Sequence, residues 1–248
     1  EIISRKNKKF IQMKKINTLK KNLRKKIKSD ISNIIKKKNF KGLKFINFPI
    51  LMGVINMTPD SFSDGGKFNK INSALARAKN FIKKGCQIID VGGESTRPGA
   101  KEVNFNIEWK RIEPFFKKTN KLKCLISLDT RKSKIMELAS EYKLDLVNDI
   151  SGLNYDRSTI NFLRKTKKPF VIHHSKGLPK NMQKKPNYKN VLLDIYDFFE
   201  DKLKNIKKYG INHKNIILDP GIGFGKNLKH NITLLKNISI FHSLGYPV

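Results

Sequence analysis

Residues 51–66, LMGVINMTPDSFSDGG, run from an apolar segment straight into a long polar loop. Leu51–Met57 reads as a buried strand, since it is short, continuous and rich in branched aliphatic residues. From Asn56 to Gly66 the chain carries Pro59, which cannot sit inside a helix, and Gly65-Gly66, which need not be rigid. The same loop holds Asp60, Phe62 and Asp64. A turn would explain the proline and glycines but not an eleven-residue polar loop after an apolar strand. Loops of that length in compact α/β domains commonly carry function.

Outward from this stretch a rhythm continues. Apolar runs recur at Gln87–Val91, Cys124–Leu128, Leu144–Asn148, Phe170–His173 and Ile216–Leu218. Amphipathic segments lie between and after them, at about 71–84, 106–119, 132–142, 156–166, 189–209 and 229–243. Alternating strand and helix is the pattern of a parallel sheet with crossover helices. Six complete units are present, and Tyr246-Pro247-Val248 reads as the opening of a seventh strand. Nearly every apolar run ends in polar residues: Asn56, Asp90 with Glu94, Asp129, Asn148 with Asp149, His173 with His174, and Asp219. Six consecutive strand tips of this kind favour a barrel, whose strand ends face one mouth, over an open doubly wound sheet. The expected fold is an α/β (β/α)8 TIM barrel spanning residues 49–248, C-terminally incomplete, behind a basic extension at residues 1–48.

The extension holds 17 Lys/Arg against 2 acidic residues, whereas residues 49–248 hold 36 against 18. It cannot bury a core alone. Ile16, Leu19, Leu23, Ile27, Ile31 and Ile34 recur at helical steps, so segment 15–38 is expected to be a helix packed on the main domain, in preference to a membrane-surface or nucleic-acid arm. The net charge of +33 raises a nucleic-acid reading, but Lys outnumbers Arg 45 to 8. Arginine is the usual base-reading and stacking cation, so a solvated basic surface is favoured. Such a surface still attracts small anionic substrates. Cys86 and Cys124 show neither metal spacing nor a disulfide framework, which points to a reducing cytoplasm. No apolar run reaches the length of a membrane span, and no signal peptide is visible.

The remaining motifs sit at strand ends. They are Asp90–Ala100 (DVGGESTRPGA), Ser127–Arg131 (SLDTR), Val147–Gly152 (VNDISG), His173–Gly177 (HHSKG) and Leu218–Lys226 (LDPGIGFGK). Thr96 and Arg97 offer donors suited to an anionic or carbonyl-bearing ligand. Taken singly, each tip is as good a cap as a ligand, and Thr130 and Asp149 suit capping. The paired histidines lack a third metal ligand at a supporting spacing. The glycine-rich segment lacks the Ser/Thr that follows Lys in a P-loop. Together, Asp129, Asn148 and Asp219 place acceptors and an amide at one mouth, which suits a ring with an amino-amide edge. Asn56 and the basic surplus suit a diphosphate with a hard divalent ion, Mg²⁺.

The stretches LMGVINMTPDSFSDGG, IIDVGGESTRPGA, ISLDTRKS, LVNDISGL, HHSKGLPKNMQ and LDPGIGFGKNLKHN resemble, in order and spacing, those of the dihydropteroate synthases. The resemblance covers about residues 49–248. It implies a (β/α)8 transferase of folate biosynthesis. Such an enzyme condenses 6-hydroxymethyl-7,8-dihydropterin diphosphate with p-aminobenzoate, giving 7,8-dihydropteroate and pyrophosphate, with Mg²⁺. By motif position it implies that Asp129, Asn148 and Asp219 hold the pterin and that Asn56 serves the metal–diphosphate unit, with Asp60 or Asp64 joining the metal shell. It implies that Phe62, Thr96, Arg97 and Pro98 complete the p-aminobenzoate site and that Phe224 lies near that ring. It implies a dissociative reaction: diphosphate leaves, the acids stabilise a cationic methylene, and the aromatic amine attacks. A homodimer is the family's usual assembly. Two other readings compete. One is a pterin-dependent methyltransferase barrel, which would lack the GESTRPG loop; the other is a basic nucleic-acid-binding protein.

Two departures stand out. His173 and Ser175 occupy positions where the family more often has methionine. The family's Ser-Arg-Lys segment after the seventh strand and Arg-x-His segment after the eighth have no counterpart before Val248. A barrel without its last strands has two unpaired edges. The 248-residue chain alone is therefore expected to be unstable or inactive, and measurable synthase activity from it would overturn that expectation.

Overall fold

Each Val- and Ile-rich run forms a strand, and each amphipathic segment returns the chain to the start of the next. The computed structural model describes residues 2–3, 5, 8–36, 49–58, 67–95, 99–177, 182–183, 186–211 and 215–248. Two short strands, β1 (Ile2–Ile3) and β2 (Lys8–Lys9), pair antiparallel, which the Lys-rich composition did not suggest. After helix α1 (Lys21–Ile35) come β3 (Met52–Asn56), β4 (Ile88–Gly92), β5 (Leu125–Asp129), β6 (Leu146–Asp149), β7 (Phe170–His173) and β8 (Ile216–Asp219). Between and after them lie α2 (Lys67–Lys83), α3 (Phe105–Phe116), α4 (Ser133–Ala139), α5 (Ser158–Thr166), α6 (Val191–Lys208) and α7 (Leu228–Lys236). Strands β3 to β8 form one parallel sheet in sequence order. The sheet does not close. Beside β8 the expected seventh strand contributes one ladder bond, from the Leu218 N–H to the Pro247 carbonyl at 2.9 Å.

Paired residues of parallel strands point to the same face, so register decides which side chains share a face. Ile55, Ile89, Val91, Ile126, Leu128, Val147, Ile172, Ile216 and Leu218 lie on the helix-covered face and join the main core. The opposite face is the barrel lumen. Its floor is a small apolar cluster of Ile88, Leu146 and Val171, with Ile50, Leu125 and Ile217 against it. Because every strand pairs with the next in sequence, crossovers of one hand place all the helices outside and leave the lumen to side chains. Close helix packing is built in at Gly53, where an added Cβ would lie 2.5 Å from the Phe81 ring.

Helix ends differ from expectation where side chains intervene. The helix expected to run to about residue 243 stops at Lys236 and continues as a 3-10 segment, Ile238–Leu244. The Asn237 amide donates back to the Thr233 carbonyl and occupies a helix acceptor there. The helix expected over 15–38 is divided into a 3-10 turn, Met13–Thr18, and α1; Thr18 Oγ1 closes the turn on the Lys15 carbonyl.

The packed surface helix is borne out. The half-buried face of α1 carries Arg24, Ile27 and Ile31. Asn33 donates to the Ser243 carbonyl at 2.8 Å, and Lys26 donates to the Tyr196 hydroxyl on α6. Arg5 forms ion pairs with Asp194 and Asp197 of α6. Replacing Ile27 and Ile31 together by Ser is expected to lower stability by about 1–3 kcal/mol in urea unfolding. Leu23→Ser, on the exposed side, should change it little.

Candidate active site

The register that builds the lumen also gathers the acids expected at its mouth. Asn56 pairs with Gly92, Gly92 with Asp129, and Asp129 with Asn148; His173 pairs with Asp219. All lie on the lumen face, as does Asp90, one pleat deeper. Gly92 has no side chain in this row and so leaves room for Asp129, since a Cβ there would lie 3.2 Å from Asp129 Oδ2. Asp149 lies on the outer face and accepts from the Ser151 N–H at 2.8 Å, a turn role. Thr130 lies off the lumen as well, its hydroxyl donating to Glu108. Phe62, Asp60, Asp64, Thr96, Arg97 and Pro98 fall outside the described residues.

Hydrogen bonding fixes what the lumen offers a ligand. Asn148 Nδ2 donates to Asp90 Oδ2 at 3.0 Å, so its carbonyl oxygen is left as an acceptor. Gly221 N–H holds Asp219 Oδ1 at 2.7 Å and leaves Oδ2 to the lumen. The carboxyl of Asp129, a residue 8% exposed, makes no hydrogen bond to a described residue. Burial pushes its carboxyl well above the usual carboxylate range, and the charges of Asp90, Glu108, Asp149 and Glu94 push the same way. Asp90 is raised by burial, partly offset by Ser127 and Asn148. A cluster of acids held this way is stabilised by N–H donors or positive charge.

The loops after β7 and β8 are tied together by Lys226. Its ammonium, 3% exposed, reaches His174 Nδ1 at 3.1 Å, the His174 carbonyl at 3.2 Å and the Phe224 carbonyl at 2.8 Å. Burial lowers Lys226 to about 7, against the pull of Asp219. Burial and the charge of Lys226 bring His174 down to about 3, so its ring is a neutral acceptor. Gly221 (φ +67°) sits where a Cβ would be 2.0 Å from the His174 carbonyl. Phe224 packs edge-on against His173, with ring centroids 4.6 Å apart. It opens on a cleft of about 330 Å³ shared with Arg131, Ile150, Asn154, Tyr155 and Ser175.

Behind that cleft lies a buried ion cluster. Lys132 bridges Glu94 at 2.7 Å and Glu108 at 2.6 Å, and Arg131 reaches Glu94 at 2.9 Å. Arg131 also stacks on Tyr155, 4.2 Å from the ring centre. Burial works to raise Glu94, but bonds and charges from Arg131 and Lys132 prevail and lower it. The cluster anchors the chain on both sides of the Thr96–Pro98 segment, through Glu94 before it and Glu102 after it.

Comparison with known proteins fixes the family. The family described as pterin binding enzyme matches residues 52–248. The dihydropteroate synthase of Haemophilus influenzae is 39% identical over 204 residues, 82% of this chain and 74% of that protein. The chain belongs to the dihydropteroate synthase family. A solved Yersinia pestis dihydropteroate synthase, in complex with a sulfonamide drug, superposes with a TM-score of 0.77 at 38% identity, covering 84% of this chain and 76% of that one. A Xanthomonas albilineans dihydropteroate synthase in complex with 7,8-dihydropteroate gives 0.72 at 26% identity, covering 83% and 72%. As a member of this family the chain is an enzyme, a transferase of folate biosynthesis.

Within the dihydropteroate synthase family frame, several site residues were missed by the reading of motifs alone. Asp90 was seen as a strand tip but not as the partner that orients Asn148; its spacing of two from Gly92 was the available signal. Lys226 was visible only as the end of a glycine-rich segment, and nothing in sequence signalled its three acceptors. No group of three or more His, Cys, Asp or Glu is positioned to hold a metal among the described residues. No helix among them is long and apolar enough to cross a membrane.

Two outcomes follow from these contacts. Lys132→Met leaves Glu108 buried without its cation and is expected to cost about 3–5 kcal/mol in denaturant unfolding. His174 favours the neutral form when folded, its pKa falling from 6.5 to about 3. The unfolded chain therefore binds the proton more readily, and the contribution of this group is lost as pH falls from 6.5 toward 3. The stability gap between wild type and His174→Asn should narrow over that range, measured by urea unfolding at a series of pH values.

Proposed function

We propose that this chain carries the pterin-diphosphate site of a dihydropteroate synthase, with Asp129, Asn148 and Asp219 as the pterin-holding set. One observation carries the reading: on one lumen face, tethered Asn148 and Asp219 turn acceptors toward the lumen beside the carboxyl of Asp129. The amino-amide edge of a pterin supplies matching donors. Burial of Asp129 makes its contact worth more and makes any ligand without donors costly to place against it.

Asn56 is half-buried at the same mouth, and its side chain makes no hydrogen bond to a described residue. Its carboxamide oxygen is a hard donor suited to Mg²⁺, which favours one or two protein oxygens beside substrate phosphates. Asp60 or Asp64 is proposed to join it. Magnesium, when bound, neutralises charge on the diphosphate. The protein's own contribution is different: Asp129 and Asp219 stabilise positive charge developing on the pterin methylene. Phe224 lines the cleft, where the amine of p-aminobenzoate would approach. Phe62, Thr96, Arg97 and Pro98 are proposed to complete that subsite and exclude water. No side-chain nucleophile is needed.

A dimer is proposed through α7, whose exposed face carries Leu228, Ile232 and Leu235. Sedimentation of Leu235→Glu should then show monomer.

Pyrophosphate release requiring both substrates is the direct test, on this chain and on one extended by two further βα units. Asp129→Asn and Asp219→Ala should each lower the rate by roughly 10²–10³-fold. Methyl transfer without pyrophosphate release would instead support a methyltransferase. DNA binding with a steep salt dependence would support the nucleic-acid reading.

A further inference from the structure

The lumen mouth contains a residue that the reading above does not use. His173 stands on the lumen face beside Asp219 and is 3% exposed. Its Nδ1 lies 3.0 Å from the Ile150 carbonyl, which can only accept. Nδ1 therefore carries the ring proton, and Nε2 is left with a lone pair. That nitrogen lies 3.9 Å from Asp219 Oδ2, too far for a direct hydrogen bond and close enough for one donor atom to reach both. The remaining ring edges are fixed. Phe224 meets the imidazole edge-on, and a Cβ on Gly221 would come within 3.1 Å of Nε2. The ring cannot swing away, so the two acceptors form a rigid notch.

We propose that His173 is a positioning residue for the pterin, its Nε2 and Asp219 Oδ2 together receiving one amino or ring N–H₂/N–H donor of the heterocycle. This rests on the pterin-site reading and deepens it. Methionine at this position can pack against a ring but offers only a weak sulfur acceptor. Histidine adds a directional contact and makes it dependent on protonation. The charged or titratable groups facing His173 are Asp219 on β8, Lys226 in the following loop and the neighbouring His174. Burial lowers His173 below 6.5, and Asp219 and the Ile150 carbonyl offset this only in part. The neutral ring therefore persists at neutral pH. Once protonated, Nε2 carries a hydrogen instead of a lone pair, so the notch loses one of its two acceptors and presents a donor there.

The test is equilibrium binding of 6-hydroxymethylpterin, followed by its fluorescence, to wild type, His173→Met, His173→Gln and Asp219→Ala. Thermal unfolding confirms that each is folded. At pH 8, His173→Met should bind roughly three- to tenfold more weakly, the worth of one hydrogen bond, while His173→Gln, which keeps an acceptor, stays within about threefold of wild type. As pH falls through the lowered pKa of His173, wild type should lose affinity relative to His173→Gln; this ratio cancels the ligand's own titration. A merely structural histidine would show no such pH-dependent ratio. If Asp219→Ala weakens binding but His173→Met binds as wild type, or the ratio stays flat with pH, the role of His173 is overturned and the pterin-site reading stands. If Asp219→Ala binds as tightly as wild type, both fall. Should His173→Met fail to fold, the His173→Gln ratio decides alone.

Discussion

The lumen acids depend on one constraint: a parallel register that repeats without slip across six strands. A shift of one residue in any strand would turn its lumen side chains toward the helices. Asp129 would then be buried in aliphatic packing, and Leu128 would face the mouth. Register is held because the outer face has no tolerance for polarity. Ile89, Ile126, Val147 and Ile172 are fully buried there, so each strand has one alignment that keeps charge out of the helical layer. The hydrophobic core thus specifies where the acids stand.

The acids in turn explain why the mouth is rich in tethers. Asp90 spends one oxygen on Asn148, and Asp219 spends one on Gly221 N–H. Each tether lowers the cost of burial and narrows the directions from which a ligand can be received. The loops above are fastened similarly, by one buried lysine between β7 and β8 and by an ion cluster between β4 and β5. A site of this construction is set before a ligand arrives.

Much of this was legible in the amino-acid sequence. Branched aliphatic runs placed all six strands, and their polar ends marked Asn56, Asp129, Asn148 and Asp219. Those signals are local, and both period and residue type survive without tertiary information. Helix ends were less legible. Asn237 and Thr18 terminate segments through side-chain bonds that apolar spacing does not encode. The partners of Lys226, Lys132 and His173 were hidden for another reason. Each is made across loops distant in sequence, and a lone Lys or His looks the same whether paired or solvated. The antiparallel pair at Ile2–Ile3 and Lys8–Lys9 lay in a segment whose composition argues for neither strand nor core.

Helix α1 has a consequence for the order of assembly. Its Asn33 meets the Ser243 carbonyl across 210 positions of chain. During synthesis this helix leaves the ribosome with its basic and apolar faces bare, well before the Ser243 side of its berth exists. Closing so long a loop is entropically slow, and it comes after the intervening sheet has supplied the surface. Helix α1 therefore docks well after it is made, and until then its isoleucines are kept from other chains by the charge around them.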